Sequence, residues 1–155
     1  NVIIGKINYF IIYKISVVFE SKIFYNKNMV TLLIADDEGY IREGIIWVLK
    51  TKGCTVFEAQ DGNECLDILK KEKVDLVILD LKMPNKNGWQ TAHEIRTIKG
   101  YETIPVLVYS GHLYEEDNPE DILLKQKVNE ILAKPLDISN LMKLIGKYVN
   151  LSEDY

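Results

Sequence analysis

Cysteine is almost missing from this chain of 155 residues: there are two, Cys54 and Cys65, and neither belongs to a Cys-x-x-Cys or a Cys/His cluster. No zinc site is therefore readable, and both thiols fall in apolar-patterned segments, as reduced, half-buried cysteines of a cytoplasmic protein do. Basic charge is also short, with 19 lysines and arginines against 23 aspartates and glutamates and a net charge of -4. An acidic body disfavours non-specific binding to nucleic acid or anionic lipid and suits a divalent cation. No apolar run is long enough to span a membrane, and no glycine-rich loop follows the first apolar run to cradle a phosphate. Repeats and low-complexity tracts are absent from the body of the chain. With 47% hydrophobic and 27% charged residues, what is present is the composition of one globular domain with a core of its own.

Residues 1–28 differ from the rest. Ile, Asn, Lys, Tyr and Phe supply 21 of those 28 residues, and the segment carries a charge of +3, leaving -7 for the remainder. Its longest charge-free run, Ile7 to Tyr13, is too short for a membrane anchor, and no small-residue cleavage site marks a signal peptide. The five dominant residue types are those of A/T-only codons and Met29 is the first methionine, so the segment reads as an extension outside the domain, in one version translated upstream sequence. The domain is expected over 29–150, with 151–155 as a short tail.

From Met29 onward, strand and helix patterns alternate five times. Strands are expected at Val30–Ala35, Cys54–Ala59, Asp75–Asp80, Ile104–Tyr109 and Asn129–Ala133. Helices are expected at Glu38–Lys52, from Asp61 to about Glu72, at Trp89–Ile98, from Pro119 to about Lys127 and at Ile138–Val149. Asp61 with Glu64 three residues on is a capping-box-like start, and Gly53 stops the first helix. Such alternation implies βαβ units and a parallel sheet, an α/β fold. Right-handed crossovers then bring every strand's carboxyl end to one edge, where open α/β sheets place their sites.

Four features meet at that edge: Asp36-Asp37, Asp80, Ser110 and Lys134-Pro135. Adjacent carboxylates such as Asp36 and Asp37 repel unless a cation lies between them, and Mg²⁺ suits few carboxylates plus water and phosphate oxygens; the plainer reading is a polar helix cap. Asp80 ends the most apolar strand and can accept a phosphoryl group as an aspartyl phosphate. Lys134 could neutralise the transferring oxygens and Ser110 could hydrogen-bond one of them. Each has a dull reading as strand-end Asp, loop Ser or surface Lys, but at four converging strand ends all of these would have to hold at once. A cis bond before Pro135 would aim Lys134 back into the edge; a trans proline opening the last helix is the alternative.

These residues resemble a response-regulator receiver domain, the chemotaxis-regulator-like phosphoacceptor of two-component signalling. The motifs that carry the resemblance are Leu-Leu-Ile-Ala-Asp36-Asp37-Glu38, Leu-Val-Ile-Leu-Asp80-Leu-Lys-Met-Pro84-x-x-x-Gly88, Val-Leu-Val-Tyr-Ser110-Gly and Ile-Leu-Ala-Lys134-Pro135. The resemblance implies a flavodoxin-like sheet of five parallel strands in order 2-1-3-4-5 with helices on both faces. It implies Mg²⁺, with Mn²⁺ able to substitute, held by Asp37, Asp80 and the backbone carbonyl of Lys82, with Asp36 reaching it through water. Asp80 would take its phosphate from a phosphohistidine on a histidine kinase or phosphotransfer protein, Ser110 and Lys134 would grip it, and Ser110 would shift inward to rearrange the face of the fourth helix, fifth strand and fifth helix. The protein would act on itself alone, through contact with a downstream protein, with neither nucleic acid nor membrane involved.

Two departures from that pattern carry weight, one at a single position and one at a pair. The family's aromatic three residues before the lysine is replaced by Ile131, with Tyr109 or Tyr114 as candidates to take over its part. Lys82 and His112 occupy places that in the family tune phosphate lifetime, and Lys82 is expected to lengthen it by hindering the attacking water. The rivals are a degenerate receiver that is never phosphorylated, an aspartyl-phosphate phosphatase or phosphotransferase of the haloacid-dehalogenase type, and a nucleotide- or flavin-binding α/β protein. The phosphatase wants a second aspartate where Lys82 stands.

Overall fold

The computed structural model describes residues 29–111 and 118–151. The segment 1–28, His112, Tyr114 and the tail from 152 lie outside the described residues, and so do the readings that rest on them.

Five strands and five helices alternate. They are β1 (Thr31–Ala35), α1 (Gly39–Thr51), β2 (Thr55–Ala59), α2 (Gly62–Leu69), β3 (Leu76–Asp80), α3 (Gly88–Ile95), β4 (Val106–Ser110), α4 (Pro119–Lys125), β5 (Glu130–Ala133) and α5 (Ile138–Tyr148). All strand pairs are parallel and the order is β2-β1-β3-β4-β5, the fold that the motifs imply. The central strand β3 is buried along its whole length, as a parallel strand covered on both faces must be.

The pleat sorts the sheet's side chains into two cores. Leu32, Ile34, Leu76, Ile78, Leu107, Tyr109 and Leu132 face α1 and α5, meeting Ile45, Leu49, Leu141 and Ile145. Leu33, Ala35, Val77, Leu79, Val106 and Val108 face the other way, onto Cys65, Leu66 and Leu69 of α2, Ala92 and Ile95 of α3, and Leu124 of α4. Burial pushes the Cys65 thiol up to about 12, which leaves it a small core hydrophobe without thiolate character.

Element ends differ from the expected ones for local reasons. The third helix starts one residue early, at Gly88, because Asn87 and Gln90 form a reciprocal capping box. At Asp61 the side chain accepts the Glu64 amide at 2.9 Å, while Glu64 reaches back to the Gln60 amide at 2.8 Å instead of that of Asp61. The fourth strand begins at Val106, after Pro105, whose missing N–H ends the ladder on that side, and it runs on to include Ser110.

At the opposite sheet edge, Arg96 ties down the chain ends that lead into β4 and β5. Its guanidinium donates to the carbonyls of Lys127 at 2.9 Å and Ile104 at 2.7 Å. Removing it strands two part-buried acceptors, at about 1–3 kcal/mol for a group left without its charged donor. Arg96→Ala should therefore lose roughly 2 kcal/mol in urea unfolding. A variant within ~0.5 kcal/mol of the parent, the scatter of a neutral surface change, would show the clip to be dispensable.

Candidate active site

The carboxyl ends of β1, β3, β4 and β5 do converge. Asp36 directly follows β1, and its amide continues the ladder to the Ala59 carbonyl at 3.1 Å. β3 ends in Asp80. β4 ends in Ser110, whose carbonyl accepts the Lys134 amide at 2.8 Å. The Lys134–Pro135 bond is cis, the first of the two options open from sequence.

Lys134 sits at the centre of an acidic cluster. Its ammonium lies 2.9 Å from Asp80 Oδ2, 3.1 Å from Glu38 Oε1 and 3.9 Å from Asp36 Oδ2. Carboxylate oxygens of Asp36, Glu38 and Asp80 all lie within 4.8 Å of one another. Asp80 is also held by the Lys82 amide, which donates to Oδ1 at 3.1 Å. Asp36 is fully buried, and each of its oxygens accepts a hydrogen bond: Oδ1 from the Glu38 amide at 2.6 Å, Oδ2 from the Tyr109 hydroxyl. Its backbone carbonyl takes Arg42 Nη1 at 2.6 Å, while Arg42 Nε pairs with Glu58 of β2.

The electrostatics follow from this packing. Burial pushes the Asp36 carboxyl above its ordinary value, and the hydrogen bonds from Tyr109 and the Glu38 amide offset only part of that. Burial pulls Lys134 down, but its hydrogen bonds to Asp80 and Glu38 and the charges of Asp80 and Asp36 outweigh it, so the ammonium is held above the usual lysine range. Glu38 is lowered by the Tyr40 hydroxyl first and Lys134 second.

At three residues the structure adds what the sequence does not specify. Asp37 is exposed and outside the carboxylate cluster, since the pleat turns Asp36 inward and its neighbour out. Glu38 takes a place in the cluster that the sequence reading did not assign; the one signal for it was the run of three acids. Tyr109, a candidate to take over from the aromatic missing at Ile131, does not share a face with that position. Tyr109 lies on the sheet face of α1 and α5, whereas Ile131 packs with the core on the opposite face, so the pleat separates them. Ser110 is buried at its strand end and Lys82 lies in the turn after Asp80.

The loop from β3 to α3 closes tightly under the site. Asn85 adopts φ 60, and the Gly88 amide returns to the Leu81 carbonyl at 3.0 Å. A Cβ at Gly88 would lie 2.4 Å from the Asp80 carbonyl oxygen, so the helix can approach only without a side chain there. Beside the site, a cleft of about 670 Å³ opens between α1 and the turn before α5, lined by Glu38, Tyr40, Gly44, Tyr109 and Lys134 among others.

The family model of the response regulator receiver domain matches residues 32–146. The chain belongs to that family. It is a receiver domain of two-component signalling, homologous to response regulators. This receiver is 30% identical over 126 residues to sporulation initiation phosphotransferase F of Bacillus subtilis, covering 79% of the chain and 96% of that relative. It is 31% identical over 121 residues to the CAI-1 autoinducer sensor kinase/phosphatase CqsS of Vibrio cholerae, covering 76% of the chain but 17% of that much longer relative. Among solved structures it resembles response regulator protein TrrA from Thermotoga maritima in complex with Mg(2+)-BeF, with a TM-score of 0.68 and 26% identity over 78% of the chain and 100% of that structure. Among the described residues of the receiver, no helix is long and apolar enough to cross a membrane.

Proposed function

We propose that this receiver takes a phosphoryl group onto Asp80 from a phosphohistidine of a histidine kinase or phosphotransfer protein, with Mg²⁺ or Mn²⁺ as cofactor, and thereby switches a face that binds a downstream protein in the cytoplasm. The observation that carries this reading is the Lys134 ammonium, 2.9 Å from Asp80 Oδ2 and surrounded by the acidic cluster. A carboxylate at 2% side-chain exposure beside a fixed cation is oriented as a nucleophile, and the same ammonium can stay with the phosphoryl oxygens after transfer.

The donor set fits a hard divalent ion, because carboxylate oxygens within 4.8 Å of one another outnumber the single ammonium among them. The resemblance gives the ion to Asp37, Asp80 and the Lys82 carbonyl, with Asp36 acting through water; of these, Asp36 and Asp80 lie in the cluster and Asp37 is the exposed acid outside it. That both oxygens of Asp36 already accept hydrogen bonds supports the indirect role. When bound, the ion supplies positive charge that lets the donor's phosphoryl oxygens approach Asp80. Ser110 would hydrogen-bond one of those oxygens, and Lys82 and His112 would modulate the lifetime of the product.

In this transfer an Asp80 carboxylate oxygen attacks phosphorus and forms the new O–P bond, while the bond from phosphorus to the donor's nitrogen breaks and its electron pair stays on the imidazole nitrogen. The test uses acetyl phosphate with Mg²⁺ on the intact chain, followed by borohydride reduction and peptide mapping. The expected result is reduction at Asp80 alone, dependent on the metal. Reduction at another carboxylate would reassign the acceptor, and no modification, together with no spectroscopic response to beryllofluoride, would leave a degenerate receiver acting as an interaction module.

A further inference from the structure

Among the described residues Tyr109 is the largest fully buried side chain, and it is the next-to-last residue of β4, a strand inside the sheet. A phenol at such depth must find a partner for its O–H. The partner is not on a neighbouring strand. β3 lies between β1 and β4, and its register places Asp80 beside Tyr109 on one side and Leu79 beside Ala35 on the other. The hydroxyl reaches across the end of the acceptor strand to Asp36 Oδ2. The ring of the same residue lies under the Lys134 ammonium, 5.0 Å from ring centroid to Nζ.

We propose that Tyr109 is a positioning residue for the phosphorylation site: its hydroxyl fixes the Asp36 carboxylate and its ring seats the Lys134 ammonium over Asp80. The two functions are separable in chemistry. The hydroxyl donates to Asp36, whose other oxygen is already taken by the Glu38 amide, so together they fix the carboxylate's rotation. The ring contributes a cation–π contact, while the ammonium donates hydrogen bonds to Asp80 and Glu38. A carboxylate that acts on a metal through water is itself an outer partner, a kind whose loss costs about 10–100-fold in metal affinity, and the Tyr109 hydroxyl sets its direction. The Tyr109 hydroxyl is held in its protonated form by burial first and by the Asp36 hydrogen bond second, so it remains a donor across the neutral range.

This inference rests on the metal-dependent reading of the site, and its test separates the two. Tyr109→Phe removes only the hydroxyl; Tyr109→Leu removes hydroxyl and ring. Mg²⁺ affinity is measured by calorimetry without any phosphodonor, and the ε-methylene signals of Lys134 are followed by NMR in metal-free protein. The expected result is Mg²⁺ binding weakened by about tenfold or more in Tyr109→Phe, with the Lys134 signals still shifted upfield by the ring. In Tyr109→Leu the affinity falls further and the ring shift disappears. Unchanged Mg²⁺ affinity in Tyr109→Phe would overturn the hydroxyl's role, and Lys134 signals at ordinary positions in the parent protein would overturn the ring's, whether or not either variant folds. A parent protein that binds no Mg²⁺ but shows the ring-shifted Lys134 would instead refute the metal reading and leave the ring's placement standing.

Discussion

Lys134→Ala is expected to slow phosphate uptake from acetyl phosphate by about a hundredfold or more, the usual cost of losing a preorganised charge at a reacting oxygen, and to destabilise the fold in the same stroke. The ammonium is the only cation among Asp36, Glu38 and Asp80 in the described site. Its removal leaves two buried carboxylates facing each other. Breaking a buried pair costs about 3–5 kcal/mol, and because Lys134 keeps 21% of its side chain exposed, roughly 2–3 kcal/mol is the fairer figure.

The pH dependence of that deficit has a definite sign. Lys134 is held above its ordinary value, so its contribution is complete at neutral pH and is lost only as pH rises through its folded-state value. Asp36 is also raised, by burial above all, so its ionisation opposes folding in full above that raised value, and the penalty fades as pH falls from there through the ordinary carboxylate value. The gap between parent and Lys134→Ala should be widest near neutrality and narrow in acid, where the stranded carboxylates take up protons. Urea unfolding at neutral and acidic pH checks this, and a gap that widens on acidification would mean that the lysine stabilises by packing rather than by charge.

How much of this was legible beforehand depends on the range of the interaction. The strand ends could be read because a parallel strand covered on both faces is a continuous apolar run, and the first polar residue after it marks the carboxyl edge. Asp36, Asp80, Ser110 and Lys134 all follow that rule. Choosing between Asp36 and Asp37 needed the parity of the pleat beyond the last ladder residue, which the apolar run Leu32 to Ala35 does not display because both faces are covered. Glu38 needed the direction of a helix start: it is the residue before α1, in extended conformation, with its amide turned onto Asp36. Tyr109 needed the strand order itself, since its partner is 73 residues earlier and two strands away. Local pattern carries the frame of the site, while contacts across the sheet decide which of the adjacent acids faces inward.

Gly88→Ala tests how tightly that frame is built under the acceptor, and a large loss of stability is expected. The added Cβ would lie 2.4 Å from the Asp80 carbonyl oxygen and 2.6 Å from Leu81 Cα, both of them backbone atoms. No rotamer change can relieve such a clash, so α3 and the acceptor strand must separate. Overpacking that forces backbone shifts costs about 1–3 kcal/mol and occasionally more, and here the upper end or beyond is expected. The shift also falls on the peptide of Asp80, so the carboxylate would move relative to Lys134 and acetyl phosphate uptake should fall with stability. Gly44→Ala is the matched control. It lies within α1, nothing stands within 4 Å of its Cβ, and it lines the cleft beside the site. Alanine there should stabilise the helix by roughly 0.5–1 kcal/mol, because it restricts the unfolded chain without meeting a neighbour. Opposite signs for one chemical change would show that the glycine after the acceptor is retained for space. If Gly88→Ala unfolded within ~0.5 kcal/mol of the parent, the scatter of neutral changes, the close approach of α3 to Asp80 would not be a constraint on the site.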